Sequence, residues 1–257
     1  MRNRFLLAFM LCWTILFISG LTGIEAAEIT ADDLVYYTEH FPPHNYLENN
    51  RIKGASVDIL ELIWQKLGAS KTRAEILIVP WARAIKKLET EPKMVLFGMG
   101  FSRERAEKFH WVGPYYAHDL SLISKKSRPL VIPTLERAKK FTIGVVRQDI
   151  GHQTLKTMGF QKDNLDLSSD LEQLHEKFIR DRFELICYVK NTYFEYLTGQ
   201  GIDPKEFKEV YQISIMKSGF GFSKKIPLSL IQEFQTALDE LKADNSVARI
   251  LKKYSLD

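Results

Sequence analysis

Short runs of β-branched and aromatic residues alternate along the chain with longer segments whose apolar residues recur every three or four positions. The short runs are typical of strands, and the longer segments are typical of amphipathic helices. Positions 56–67 show the helical pattern well, because Val57, Leu60, Ile63 and Trp64 fall on one face. Strands that alternate with helices predict an α/β fold with largely parallel sheets.

The same pattern defines a set of predicted elements. We expect strands at 34–37, 75–79, 94–97, 118–124, 141–146, 183–189, 210–215 and 219–223. We expect helices at 56–67, 81–89, 150–158, 169–180, 191–197, 227–241 and 245–254, and a short helix that contains Arg103 and Arg105. The helix at 169–180 opens with the capping-box pattern of Ser169 and Glu172. The charged, proline-marked stretch 125–129 interrupts the alternation and predicts two α/β units of about 90–100 residues each.

The amino terminus has the pattern of a secretory signal peptide, residues 1–26. Arg2 and Arg4 precede the uncharged apolar run 5–18, and small residues lead to a cleavage site after Ala26. An uncleaved membrane anchor is the alternative, because mild apolarity continues to Ile24. We expect cleavage, and therefore a periplasmic protein of about 231 residues.

The composition excludes several classes of protein. With 45% hydrophobic and 26% charged residues, the chain is globular rather than disordered, collagen-like or coiled-coil. A net charge of +4 over 257 residues is too small for a nucleic-acid-binding surface, so we expect no nucleic-acid partner. Of the two cysteines, Cys12 would leave with the signal peptide. Cys187 lies in a predicted strand, where we expect a buried, inert thiol and no internal disulfide.

Candidate ligand-binding residues follow the predicted strands, at the carboxyl ends where open α/β sheets place their ligands. Gly98 and Gly100 end one strand, and the helix that starts beside Ser102 favours an anion. Arg103 occupies the third glycine position of a dinucleotide fingerprint, which excludes that motif. Arg105 could clamp a carboxylate with two hydrogen bonds, or the segment could be a tight turn with a solvated arginine.

Other loops hold candidates of the same kind. Glu39, Phe41 and Tyr46 lie on a loop stiffened by two prolines, where an aromatic ring either faces a ligand or packs into the core. Trp81 and Arg83 begin the helix after the second strand, although Trp81 could instead pack between lobes and Arg83 could lie in water. The candidates that follow later strands are Gln148, Asp149 and Lys190.

The sequence contains no familiar catalytic or metal-binding motif. His40 and His44 are four residues apart, but a proline loop does not align them as a helix would, and no HExxH pattern occurs. The G-x-S-x-G elbow, the P-loop and the H-R-D pattern do not occur either. We therefore expect no metal, no cofactor, and no nucleophilic or phosphoryl-transfer enzyme.

Taken in order, the segments resemble the periplasmic solute-binding proteins of the amino-acid-binding type, which form family 3 of the bacterial solute-binding proteins. The resemblance is carried by Phe41-Pro42-Pro43 with Tyr46, Gly54 with Val57-Asp58-Ile59, Pro80-Trp81 with Arg83, Phe101-Ser102 with Glu104-Arg105, Trp111-Val112-Gly113-Pro114-Tyr115, Ile143-Gly144-Val145-Val146 and the C-terminal stretch 238–250. It implies an α/β, two-lobed type II periplasmic-binding-protein fold with two hinge crossings, near 124–128 and 214–218. Lobe 1 would comprise 27–124 and 215–257, and lobe 2 would comprise 125–214.

The resemblance also implies roles for particular residues. Phe41 matches the aromatic residue that stacks on the ligand, and Arg105 matches the arginine that grips an α-carboxylate. Positions that differ from the family are Gly98 and Gly100 in place of serines, Gln148-Asp149 in place of a Gly-Thr pair, and Lys190 near the aspartate that holds an α-ammonium group. These differences leave carboxylate recognition in place and remove the usual partner of the ammonium group. We therefore expect a small polar ligand that is anionic or zwitterionic.

The function that the resemblance implies is that of a monomeric solute-binding protein without catalysis. It would close on its ligand and serve an ABC importer or a membrane sensor. An enzyme on the same scaffold, similar to cyclohexadienyl dehydratase, is the first alternative, with Glu39 and Asp149 as its general acid or base. An adaptor with a degenerate, empty cleft is the second alternative.

Overall fold

The structure is a computed structural model and describes residues 28–256. The predicted signal peptide, with its cleavage site and Cys12, lies outside the described residues. Within the described range, no helix combines the length and the apolarity needed to cross a membrane.

Eight strands form one sheet in the order β4-β1-β5-β10-β6-β9-β7-β8, and two more form a separate hairpin, β2-β3. The strands are β1 (Val35–Thr38), β2 (Tyr46–Glu48), β3 (Arg51–Lys53), β4 (Leu77–Ile78), β5 (Met94–Gly100), β6 (Phe109–Lys125), β7 (Ile143–Val146), β8 (Leu165–Ser168), β9 (Leu185–Val189) and β10 (Phe207–Ser223). The sheet runs parallel on both flanks, where β1 pairs with β4 and β5, and β7 pairs with β8 and β9. The predicted α/β class is confirmed, while the sequence pattern missed the hairpin and β8.

Helices cover the sheet and follow most of its strands, as expected. They are α1 (Ala55–Lys66), α2 (Trp81–Thr90), α3 (Arg103–Lys108), α4 (Leu135–Ala138), α5 (Ile150–Thr157), α6 (Leu171–Ile179), α7 (Lys190–Gly199), α8 (Leu228–Ala243) and α9 (Ser246–Lys253). Pro80 precedes α2 and Pro227 precedes α8, because proline suits a helix start, where its missing N–H costs no hydrogen bond.

Two long strands, β6 and β10, run antiparallel through the centre of the sheet. The prediction of separate strands at 210–215 and 219–223 was wrong, as was the start of β6 at 118. Polar residues and Gly219 interrupt the apolar pattern of β10, but the ladder continues past them through a register shift between Ser218 and Phe220.

The long pair joins two α/β units at its opposite ends. Strand β5 pairs with 218–222 of β10, whereas β9 pairs with 120–123 of β6. Both chain crossings between the units therefore lie within β6 and β10. The residue boundaries of the two lobes stay a prediction.

The apolar side chains form two core clusters. In one cluster the rings of Tyr36 and Trp64 lie 4.7 Å apart, and Phe234 of α8 lies 5.0 Å from Phe222 of β10. The other cluster spans both units, because it includes strands and helices of the second unit together with residues such as Trp81, Leu88 and Leu96 of the first. Cys187 is fully buried there, and burial raises the pKa of its thiol, which agrees with an inert cysteine.

The N-cap of α6 lies one residue beyond the predicted position, and the capping box of Ser169 and Glu172 does not form. Asp170, not Ser169, is the N-cap, and its Oδ1 accepts a hydrogen bond of 2.8 Å from the Gln173 amide. The Gln173 side chain in turn accepts a bond of 2.9 Å from the amide of Ser169. Serine and aspartate both make good caps, so the sequence alone does not distinguish these registers.

Candidate functional site

The backbone carbonyl of Gln148 joins the two α/β units. It accepts a hydrogen bond of 2.9 Å from Trp81 Nε1 at the start of α2 and one of 3.0 Å from Arg105 Nη2 in α3. Gln148 follows β7 of the opposite unit and has a φ of 61°, in the left-handed region that non-glycine residues adopt only under constraint. We call these three residues the Gln148 bridge.

Arg105 is held rigidly at the centre of this bridge. Its Nη1 donates to the carbonyl of Gly100 at 2.8 Å, and its guanidinium lies 5.0 Å from the centre of the Trp81 ring. Its amide donates to Ser102, the N-cap of α3. Only 2% of Arg105 is exposed, and burial lowers its pKa to about 10. The negative charges of Asp149 and Glu39 oppose this shift. The guanidinium therefore stays charged at neutral pH.

Two carboxyl groups lie close to Arg105. Glu39 follows β1, and Asp149 is the N-cap of α5, where it accepts a hydrogen bond from the Ile150 amide. Burial raises the pKa of Glu39 well above its usual range, and the charge of Asp149 adds to this effect. Burial also raises the pKa of Asp149, which Arg105 opposes. A buried guanidinium and two partly buried carboxyl groups from different strand ends thus lie close together.

A cavity with a volume of about 410 Å³ adjoins Glu39, between the two units. Its polar lining includes the carboxyl groups of Glu39, Asp170 and Glu172, and no lysine or arginine. Its apolar lining residues are Ile78, Val79, Pro80 and Leu171, and Tyr196 adds an aromatic ring. We call it the acidic cavity. The sequence singled out Glu39, but not Asp170 or Glu172. It assigned Glu172 only to the capping box with Ser169, and it assigned no role to Asp170.

Two further cavities lie nearby. One, of about 420 Å³, has mixed charge and is lined by Gln148 with residues such as Glu104, Arg147 and His152. The other, of about 370 Å³, is lined by Tyr46 and the proline loop. Tyr46 is therefore close to the acidic cavity without lining it.

Phe41 packs into a buried cluster of aromatic and histidine side chains. Its ring lies 5.6 Å from His118 and 6.2 Å from Tyr188, and His44 lies 4.5 Å from His118. Neither ring nitrogen of His44 has a hydrogen-bond partner within residues 28–256, and Nε2 of His118 lies 2.8 Å from the Ser218 hydroxyl. Phe41 therefore packs into the core, which was the alternative to facing a ligand. No local pattern in the sequence predicts that His44 and His118 are buried together.

We expect this histidine pair to make stability depend on pH. Burial lowers the pKa of His44 to about 3 and lowers that of His118 well below 6.5. Below about pH 6.5 the unfolded chain therefore binds protons that the folded chain does not, and stability falls as the pH falls. Each histidine contributes a slope of about 1.4 kcal/mol per pH unit.

Urea unfolding between about pH 7 and about pH 5 measures this slope. The His118→Phe variant should lose about 1.4 kcal/mol per pH unit of it. His40→Gln removes a more exposed histidine whose pKa burial also lowers, but less than that of His118, so it should lose a smaller part of the slope. Glu39 and Asp149 contribute with the opposite sign, so the difference between wild type and variant is the informative quantity. Equal slopes in wild type and His118→Phe would contradict the prediction.

The other sequence candidates fall into two groups, those at the Gln148 bridge or beside it and those outside it. Gly100 belongs to the first group, because its carbonyl accepts a hydrogen bond from Arg105. Gly98 lies two residues before it, where an added side chain would contact Asn45. Arg83 is exposed and forms no ion pair with any residue from 28 to 256. Lys190 pairs with Glu209 at 2.8 Å and Asp119 at 3.4 Å and lines none of the three cavities.

Solved structures of periplasmic binding proteins share this fold. An arginine-, lysine-, histidine-binding protein, ArtJ from Geobacillus stearothermophilus, has a TM-score of 0.75 at 17% identity and covers 86% of this chain and 94% of its own. A histidine kinase sensor domain with similarity to periplasmic binding proteins has a TM-score of 0.77 at 16% identity and covers 88% and 96%. The protein therefore has the type II periplasmic binding fold.

The sequence itself establishes the family. Residues 34–257 match the family model of the bacterial extracellular solute-binding proteins, family 3, and the chain belongs to this family. A "Probable histidine-binding protein" from Campylobacter jejuni is 23% identical over 265 residues, which cover 99% of this chain and 100% of the relative.

Proposed function

We propose that this protein is a periplasmic solute-binding protein that captures a small amino-acid-like solute between its two α/β units, without catalysis. The Gln148 bridge carries the proposal, because Trp81 and Arg105 of one unit contact Gln148 of the other directly. These contacts exist only while the units are close together. A solute that occupies the adjacent acidic cavity would therefore favour the closed arrangement.

The long strands supply a route for the movement. Both crossings between the units lie in β6 and β10, so a small change of backbone dihedrals there would rotate one unit against the other. Occupancy of the cavity would then change the outer surface that a membrane partner contacts. We propose an ABC importer as that partner, in keeping with the amino-acid-binding relatives.

The titratable pair of Glu39 and Asp149 favours a second candidate, an enzyme on the same fold. A carboxyl group whose pKa is raised by burial can act as a general acid near neutral pH. This candidate predicts that a bound solute is converted, whereas the first predicts that it is recovered unchanged.

Isothermal titration of the protein with amino acids, amines, dicarboxylates and prephenate tests both candidates. We expect one solute to bind per chain and to be recovered unchanged, as mass spectrometry of the released ligand would show. Product that accumulates with wild type but not with Asp149→Asn would replace the proposal by the enzyme. Binding of no solute at all would contradict both candidates. Loss of high-affinity uptake of the bound solute in a deletion strain would test the importer.

A further inference from the structure

We infer that Asn45 is a positioning residue of the site between the two units. Its carboxamide lies between the loop after β1 and the end of β5, and it fixes Glu39 relative to the turn at Gly98. The inference rests on the function proposed above. It adds to the site a residue that lines none of the three cavities described.

Asn45 is fully buried and closes the loop that follows β1. Its Nδ2 donates a hydrogen bond of 2.8 Å to the carbonyl of Glu39. Its backbone forms a bridge with Phe41, in which the Phe41 amide donates to the Asn45 carbonyl at 2.7 Å and the Asn45 amide donates to the Phe41 carbonyl at 3.0 Å. Glu39 is therefore held from the far end of its own loop, six positions away.

The same carboxamide packs against Gly98 in β5. A side chain at Gly98 would place its Cβ 2.9 Å from Asn45 Oδ1 and 3.5 Å from Asn45 Nδ2. Gly98 also has a φ of 74°, in the left-handed region that favours glycine. Glycine is therefore needed here for two reasons, the backbone conformation and the space that the carboxamide occupies.

The turn at Gly98 leads directly to the Gln148 bridge. Two residues further along β5, the carbonyl of Gly100 accepts the hydrogen bond of 2.8 Å from Arg105 Nη1. Displacing the turn would therefore move the guanidinium that contacts Gln148. One carboxamide thus sets the separation between Glu39 and Arg105, which come from different strand ends.

The oxygen of the carboxamide gives an independent reason for this role. Asn45 Oδ1 is buried and has no hydrogen-bond partner within residues 28–256. Turning the amide over would not help, because the oxygen would then face the carbonyl of Glu39, which is another acceptor. A buried acceptor without a partner costs more stability than one neutral hydrogen bond returns. Stability alone therefore does not favour asparagine at this position, whereas the placement of Glu39 uses its N–H donor.

Hydrogen–deuterium exchange of the solute-free protein tests the placement. Asn45→Ala should raise exchange by about tenfold or more in two separate stretches, 39–46 and 98–105, and leave 143–189 unchanged. Asn164→Ala is the matched control, because Asn164 Nδ2 donates a bond of the same 2.8 Å to the carbonyl of Lys139 in the other unit. The control should leave both stretches as in wild type.

Asn45→Asp is the second variant, because it keeps the size of the side chain and exchanges its N–H donor for an acceptor. It should give the same pattern of two stretches, and it replaces the alanine variant if only the aspartate variant folds. Faster exchange in 39–46 alone, or throughout the chain of a folded variant, would overturn the inference. If neither variant folds, Asn45 is a structural residue and the inference also fails.

A double-mutant cycle between Asn45 and Gly98 tests the effect on the solute. It uses calorimetry with L-histidine, L-arginine, L-glutamine and prephenate, and it follows the tightest of the four. Gly98→Ala should weaken binding by about 5- to 30-fold in wild type. In the Asn45→Ala background it should weaken binding by less than about threefold, because the added methyl group then has room.

The strain of a positive φ is the same in both backgrounds, so it cancels in the cycle. Gly68→Ala is the control for that strain, because Gly68 has a φ of 67° and a Cβ there would meet no atom within 4 Å. It should leave the affinity unchanged. Equal effects of Gly98→Ala in the two backgrounds would contradict the inference.

The failures of the two proposals are distinguishable. If Asn45→Ala lowers the free energy of unfolding but leaves the affinity unchanged, the residue is only structural, and the inference is overturned while the proposed function stands. If no solute of the panel binds to wild type, the proposed function fails. The exchange pattern then still decides whether Asn45 joins the two loops.

Discussion

Replacing Arg105 by alanine is expected to weaken solute binding by about 30-fold or more, because the closed arrangement loses its central contact. Removing one partner of a buried, charged hydrogen-bond network costs about 2–5 kcal/mol. Here the carbonyls of Gly100 and Gln148 lose their donor. The carboxyl groups of Glu39 and Asp149 lose the nearby positive charge that opposes the rise of their pKa values on burial. Calorimetry with the tightest amino acid and its decarboxylated amine measures the loss.

The ratio between those two ligands separates the possible roles of Arg105. If Arg105 only forms the bridge and touches neither ligand, its replacement by alanine lowers both affinities by the same factor. If Arg105 binds an α-carboxylate, its replacement lowers the affinity for the amino acid far more than the affinity for the amine. Arg103→Ala is the control, since Arg103 is exposed on the same short helix. Unchanged affinity in Arg105→Ala would exclude both roles.

Replacing Phe234 by alanine is expected to lower the free energy of unfolding by about 3–5 kcal/mol. Phe234 is fully buried on the inner face of α8, and its ring meets Phe222 of β10 edge to face at 5.0 Å. The deletion would leave a cavity between α8 and the central strand pair. Urea unfolding followed by circular dichroism measures the change.

Leu228 of the same helix provides the matched control. It is 61% exposed, so Leu228→Ala should change the free energy of unfolding by less than about 0.5 kcal/mol. A loss in Phe234→Ala as small as the loss in Leu228→Ala would mean that α8 does not pack on the sheet as described.

Much of the fold follows from local sequence patterns. The apolar stripe of α1, the proline before α2 and the Ser102 cap of α3 are local features, and the structure has all three. The rule that ligand sites lie at the carboxyl ends of strands brought Glu39, Trp81, Gly100, Arg105, Gln148 and Asp149 into consideration. The structure places these six side chains or backbones in or beside one cluster.

The remaining features depend on contacts between distant segments. The sequence could not show that α8 covers the first core cluster, because an amphipathic stripe does not name its partner. Nor could it show that Lys190 would meet Glu209 instead of the cavity, or that Asp170 would line the cavity as well as cap α6. The acidic character of the cavity arises from two segments that are far apart in sequence. Glu39 follows β1, and Asp170 begins α6 about 130 positions later.

The most direct test of closure is a distance between the two units, measured by pulsed electron paramagnetic resonance. Spin labels at Lys86→Cys on α2 and Lys162→Cys beyond α5 occupy exposed positions, and the buried Cys187 should stay unlabelled. Without solute we expect a broad distribution of distances. Saturation with the tightest solute of the calorimetric panel should give one narrow, shorter distance. An unchanged distribution at saturation would contradict capture between two closing units.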